Sequence, residues 1–185
     1  MSELEQLFDE INAADRAGKI KSFWNPEQQG EIDIRIAADG SWYHQGRKFQ
    51  RPALVKLFAS ILRREGEGYF LVTPAEKLQI QVDDAPFVAN LVEQINEDGQ
   101  QLVVFTTSIG EHIPLDRDHA LRIDIDASSG EPRPYIHLRA GLEALISRSA
   151  FYDLINMAEE IERDGLHYLC LTSLGEQFEL GRSDE

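Results

Sequence analysis

Five arginines and no lysine fall between Arg117 and Arg148: Arg117, Arg122, Arg133, Arg139 and Arg148. Five acids share the segment, so it is neutral overall. Guanidinium is planar and presents paired N–H donors, a shape that matches carboxylate or phosphate. Arg139 ends the strand-like run Tyr135-Ile136-His137-Leu138 and precedes Gly141. A strand end beside a turn is a common place for a ligand contact. A salt bridge from Arg139 to Glu143 or Asp124 would explain the same placement without a ligand. A second cationic stretch holds Arg47, Lys48, Arg51, Lys56, Arg63 and Arg64 with no acid among them. It could attract a phosphate or an acidic partner. A solvated helix face, with Arg63 and Arg64 in the last helical turn complementing its dipole, is the simpler reading.

Other chemistry is thinner. His44, His112, His119, His137 and His167 are scattered, and no pair has the i, i+4 spacing of a helical zinc motif. Asp124-x-Asp126-x-Ser128-x-Gly130 resembles the start of a calcium loop but lacks its sixth-position glycine and twelfth-position glutamate. A turn between two strands explains it better. Asp83 and Asp84 are adjacent, and on a strand they would point to opposite faces. Cys170 is the only cysteine. It sits in the apolar run Tyr168-Leu169-Cys170-Leu171, which reads as a buried hydrophobe rather than a nucleophile. No phosphate loop, dinucleotide fingerprint or nucleophile elbow occurs, so no catalytic residue and no metal site are assigned.

The chain that must position these groups has 185 residues, with 18 basic and 33 acidic, a net charge of −15. Such a charge opposes binding to nucleic acid or anionic lipid. The first ten residues carry four acids and no basic residue, and no apolar run reaches membrane-spanning length. The expected location is the cytoplasm.

Helical spacing of Leu4, Leu7, Phe8 and Ile11 predicts a helix over Ser2–Arg16. Ile32, Ile34 and Ile36 alternate with polar residues, the period of a half-buried strand, and Asp39-Gly40 turns it into a return strand through His44. Pro52 opens a helix carrying Leu54, Leu57, Phe58, Ile61 and Leu62, followed by a hairpin over Tyr69–Thr73 and Lys77–Val82. Beyond the junction at Asp83–Pro86, a hairpin spans Phe87–Thr107 and could offer an edge for dimerisation. Short strands are expected at Glu111–Ile113, Leu121–Ile125 and Tyr135–Arg139, with a helical turn over Gly141–Ile146. Phe151, Leu154, Ile155, Ala158 and Ile161 mark another amphipathic helix, and His167–Thr172 with Gln177–Leu180 close a final hairpin. The tail from Gly181 to Glu185 is expected to be loose.

Two stretches echo each other. Arg51-Pro-Ala-Leu54, then Tyr69–Thr73 and Glu76, match Arg148-Ser-Ala-Phe151, then Tyr168–Thr172 and Glu176. The offsets are 97, 99 and 100, with the slippage in turns. The reading is an α+β protein of duplicated helix-plus-hairpin units with mainly antiparallel sheets. Its parts are an N-terminal helix (1–22), an N-terminal α+β domain (23–83) and a C-terminal α+β domain (84–185).

Several runs carry a further likeness: Gly40-Ser-Trp42-Tyr-His44-Gln-Gly46, Leu71-Val72-Thr73-Pro74-Ala-Glu76-Lys77, Val82-Asp-Asp84-Ala-Pro86-Phe87, His119-Ala-Leu121-Arg122 and Pro134-Tyr135-Ile-His-Leu-Arg139-Ala-Gly141. In order and spacing they resemble a bacterial family catalogued as domain of unknown function 1285, with Ala120 standing where the pattern has proline. The resemblance implies a duplicated α/β architecture and a C-terminal domain superficially like a pleckstrin-homology fold. It also implies a site for a nucleotide-based ligand at the domain interface and a role in signal transduction. Matching residues that could line such a site are Trp42, His44, Lys77, Asp84, Arg122, Tyr135, Arg139 and Arg148. Cations would hold phosphate, Trp42 or Tyr135 could stack a base, and Asp84 could accept from sugar or base.

The leading expectation is thus a non-catalytic module that senses a small nucleotide-like ligand and biases an unidentified protein partner. Nucleic acid and membrane are not expected partners. Two alternatives stay open: a protein-interaction scaffold without a small ligand, and a hydrolase of a phosphorylated metabolite.

Overall fold

The computed structural model describes residues 24–97 and 99–183. The helix expected over Ser2–Arg16, the rest of the 1–22 segment and the end of the tail lie outside the described residues. The chain forms two compact units that meet in sequence between Asp84 and Ala85.

In the N-terminal unit, β1 (Gln28–Ile36), β2 (Trp42–His44) and β3 (Arg47–Lys48) form a meander. Helix α1 (Pro52–Ser60) follows, then a second meander of β4 (Leu62–Glu65), β5 (Gly68–Val72) and β6 (Glu76–Val82). One six-stranded sheet results, in the order β3-β2-β1-β6-β5-β4. All pairs are antiparallel except β1 with β6, which run parallel and join the two meanders. Ile32, Ile34 and Ile36 point inward as their alternation requires, with Asp33 and Arg35 outward. They pack with Trp42, Phe58, Leu71, Leu78 and Ile80 in the core.

The helical spacing through Ile61, Leu62 and Arg64 misleads. Helix α1 stops at Ser60, and Arg63 and Arg64 lie on β4, not in a last helical turn. The Ile61 carbonyl already accepts from the Val72 N–H at 3.2 Å. Sheet pairing outcompetes one more turn of a short helix, since most helical stability comes from packing.

The C-terminal unit contains β7 (Phe87–Glu97), β8 (Gln100–Thr107), β9 (His112–Pro114), β10 (Leu121–Ile125), β11 (Pro132–Arg139) and β12 (Leu142–Ile146). Their sheet order is β10-β11-β12-β7-β8-β9, with β12 parallel to β7. Read from its other edge, this is the strand order of the first sheet: two meanders joined by a parallel pair of first and last strands. Helix α2 (Arg148–Met157) comes next, capped by the Ser147 hydroxyl at the Ala150 N–H. A separate three-stranded sheet of β13 (Glu159–Arg163), β14 (Leu166–Ser173) and β15 (Glu176–Arg182) ends the described chain.

Two expectations are corrected here. Leu142–Ile146 is a strand rather than part of a helical turn, because Leu142, Ala144 and Ile146 alternate inward, and Gly141 lies in the turn before it. Helix α2 ends at Met157, and Ile161 sits on β13. The sequence echo pairs α1 with α2 and the meander after each, whereas the sheets repeat as β1–β6 against β7–β12. The turn hydroxyl equivalent to Thr73 is Ser173, not Thr172: each stands three residues before a glutamate and closes the same hairpin.

The β14–β15 turn is fastened to the edge of β8. The Leu174 N–H donates to the Gln101 carbonyl at 2.7 Å, the Gln101 side-chain amide donates to the Thr172 carbonyl at 2.9 Å, and the Val103 N–H donates to the Ser173 hydroxyl at 3.1 Å. Leu174 has φ = 52° and an exposed side chain. A left-handed leucine costs on the order of 1–2 kcal/mol that asparagine largely escapes. Leu174→Asn is therefore expected to raise stability by about 1 kcal/mol in urea denaturation. A loss instead would mean that the leucine side chain packs usefully. No helix among the described residues is long and apolar enough to cross a membrane.

Candidate functional site

The eight residues singled out from sequence divide between the units. Trp42 opens β2 and is 2% exposed, its ring clustered with Phe49 and Phe58 at centroid distances of 6.5 and 6.4 Å, and those two rings lie 5.8 Å from each other. So deep a burial leaves no room for a base on the ring. His44 stacks on Phe49 at 6.4 Å. Lys77 on β6 pairs with Glu65 at 2.7 Å and lies over the Phe70 ring. Its hydrogen bond holds the Glu65 carboxyl below the usual carboxylate range, despite some opposing desolvation. Asp84, half-buried, ends the N-terminal unit.

Arg122, Tyr135, Arg139 and Arg148 belong to the C-terminal unit. Arg122 faces Tyr135 across the β10–β11 ladder and lies 4.2 Å above its ring. The same guanidinium donates to both oxygens of Glu143, at 3.0 and 2.8 Å, and also pairs with Asp124. The two acids considered as partners for Arg139 thus belong to Arg122. These bonds, that to Glu143 first, hold the guanidinium charged at any ordinary pH. Tyr135 is 5% exposed beneath it, and its hydroxyl accepts from Arg133 at 3.1 Å.

Arg139 parts company with this group because of a bulge. The β11–β12 register slips between His137, opposite Glu143, and Arg139, opposite Leu142. An extra residue re-aims the side chain that follows it. Arg139 therefore shares the side of buried Leu142, lies over Phe87 and pairs with Glu111 at 2.9 Å. The turn beyond it carries Ala140 and Gly141, both at positive φ. His137 braces that turn: its Nδ1 lies 2.8 Å from the Asp118 carbonyl, and its Nε2 accepts from the Gly141 N–H at 3.3 Å.

Arg148 has a different setting. It begins α2 and stands at a groove of about 440 Å³ between that helix and the start of β11. Pro132, Pro134, Leu145, Ile146, Phe151 and Ile155 supply an apolar lining. Tyr152, on the rim, is 55% exposed. Arg148 donates to Glu131 at 2.9 Å, and the Tyr152 hydroxyl and Glu131 together keep it charged. Arg133 and Asp126 complete the charged part of the lining. A groove with an apolar floor, an exposed ring and guanidinium groups can seat a small organic anion. Sequence reading does not single out Tyr152 or Glu131, and takes Phe151 only as part of a helix's apolar stripe. The available signal was an aromatic residue standing off the apolar stripe of α2.

The remaining groups are accounted for locally. Asp126 caps its own turn, accepting from the backbone and hydroxyls of Ser128 and Ser129. The calcium-like spacing is thus a turn motif. Cys170 is buried, and desolvation pushes its thiol pKa up. In the basic stretch, Arg63 donates to the Trp24 carbonyl at 2.8 Å and Arg64 pairs with Glu67 at 3.7 Å.

Two sheets of one strand order, each with a helix beside a meander, define a duplicated two-unit α+β protein. The chain belongs to the DUF1285 family: residues 21–85 match the N-terminal domain of this family of unknown function, and residues 86–180 match its C-terminal domain. A crystal structure of a DUF1285 family protein from Silicibacter pomeroyi is 44% identical, with 94% of this chain and 96% of that one covered and a TM-score of 0.79. One from Shewanella baltica is 29% identical over 66% of this chain and 90% of that one, with a TM-score of 0.53. Comparison with curated proteins gives no match.

Proposed function

We propose that this DUF1285 protein is a non-catalytic binding module that holds a small nucleotide-like anion in the groove between α2 and β11. Occupancy would bias contact with a protein partner, as in a signalling role. The observation that carries this reading is exposed Tyr152 beside Arg148 at the mouth of that groove. A base would lie against Tyr152 and Phe151, with its phosphate on Arg148. Saturation of Arg122, Arg139 and Lys77 by carboxylates favours the second reading, a scaffold in which these pairs are packing.

A thermal-shift screen against nucleotides separates the two. A ligand that binds only the folded chain stabilises it by about 2.7 kcal/mol at 100 times its Kd. Arg148→Ala should weaken binding of a hit about tenfold, the equivalent of 1.4 kcal/mol. Arg139→Ala, changed on the Glu111 side of the sheet, should leave it within about twofold. A flat screen would hand the case to the scaffold, and a folded Arg148→Ala protein of unchanged affinity would place the ligand outside this groove.

A further inference from the structure

The charged lining of the groove is balanced. Arg133 and Arg148 face two carboxylates, Asp126 and Glu131. The two acids are not equivalent. Asp126 accepts from Ser128 and Ser129 at 2.6–3.1 Å, which commits it to the turn and holds it well below the usual carboxylate range. It lies 3.8 Å from Arg133, which also donates to the Tyr135 hydroxyl. Glu131 pairs with Arg148 at 2.9 Å, with both side chains more than half exposed. An exposed pair of this kind contributes little, so a ligand anion can displace Glu131 at small cost.

Resting on the groove reading above, we infer that the site selects a singly charged anion joined to a flat apolar or aromatic body, with Glu131 setting the charge limit. One ligand charge replaces one carboxylate on Arg148, and the balance of the lining is restored. A second ligand charge meets displaced Glu131 and a chain of net charge −15, while Arg133 is already engaged by Asp126 and Tyr135. Like charges a few ångströms apart repel even when partly solvated. The floor of prolines, Leu145, Phe151 and Ile155 favours a body that needs few hydrogen bonds.

Titration calorimetry of the full chain at low salt tests this with four probes. Cyclic adenosine monophosphate, adenosine monophosphate and adenosine triphosphate share one base and rise in charge. Naphthoate carries one charge on a ring without polar groups. Affinity should fall roughly threefold with each added charge, as expected for unit charges several ångströms apart in a largely aqueous setting. Glu131→Gln should close or reverse the gap between the cyclic monophosphate and the triphosphate. Naphthoate binding more tightly than the cyclic nucleotide would identify a carboxylate ligand, and the opposite ranking a phosphodiester. Affinity that rises with charge, or a ranking untouched by Glu131→Gln, overturns the charge rule and leaves the groove reading standing. Binding of no probe at millimolar concentration overturns both.

Discussion

Replacing Trp42 with alanine is expected to cost the protein about 3–5 kcal/mol, the range for truncating a large aromatic residue in a core. The ring is 2% exposed and clusters with Phe49 and Phe58, with Ile34 and Ile36 fully buried on the neighbouring strand. Its Cα stands opposite Ile36 on β1, the strand whose parallel pairing with β6 joins the two meanders. Removing it opens a cavity at that join, and close-packed cores relax only partly into such a space. Total stabilities run to about 5–15 kcal/mol, so the loss is a large fraction of the whole. Urea denaturation would show it as a lowered midpoint with an unchanged slope. A tryptophan that served as a stacking platform would behave in the opposite way. Its alanine variant would keep its midpoint and lose ligand affinity, and that result would return Trp42 to the binding surface.

The contrast between Trp42 and Tyr152 shows what the sequence could and could not convey. Period-two alternation placed Ile32, Ile34 and Ile36 correctly, because one face of β1 is buried and the other is solvated. Turn chemistry places the hairpin at Asp39-Gly40 for an equally local reason, whereas Asp164-Gly165, which reads as a helix end, turns β13 into β14. Helix ends were misplaced at Ile61 and Ile161, where apolar spacing continues but the backbone has already joined a sheet. Tertiary pairing decides such boundaries, and periodicity does not contain it. The same limit governs the site. Arg139 and Arg122 both stand among the family-matching residues, but a bulge sends Arg139 to the other side of the ribbon. The groove draws on a turn, two strands and a helix, from Asp126 to Ile155, and only folding brings them together. Strand order is subtler still. The echo at an offset near 97 is genuine in sequence, but the meander after α2 forms its own sheet and does not close back on the main one.

That separate sheet is the reason to expect a large effect from Ser173→Ala. Ser173 and Val103 are both 0% exposed, and the serine hydroxyl receives the Val103 N–H. In the N-terminal unit the equivalent Thr73 turns its hydroxyl onto the Ala75 and Glu76 amides of its own turn, at 3.3 and 3.0 Å. Ser173 instead reaches across to β8, beyond the point where β9 pairs with it. Alanine would leave the Val103 N–H buried without a partner, at a cost of about 1–3 kcal/mol. Thr172→Ala should cost clearly less, because only the backbone carbonyl of Thr172 is used by Gln101. Amide exchange at Val103 adds a local readout: its protection should fall in Ser173→Ala by more than the global loss of stability explains. Equal destabilisation by the two alanine variants, with Val103 protection unchanged, would mean that the Gln101 bonds and apolar packing hold the last sheet to β8 without the hydroxyl. The expected inequality would instead make the Ser173 hydroxyl, beside the two Gln101 bonds, a needed fastening of a repeated hairpin that serves as a separate sheet.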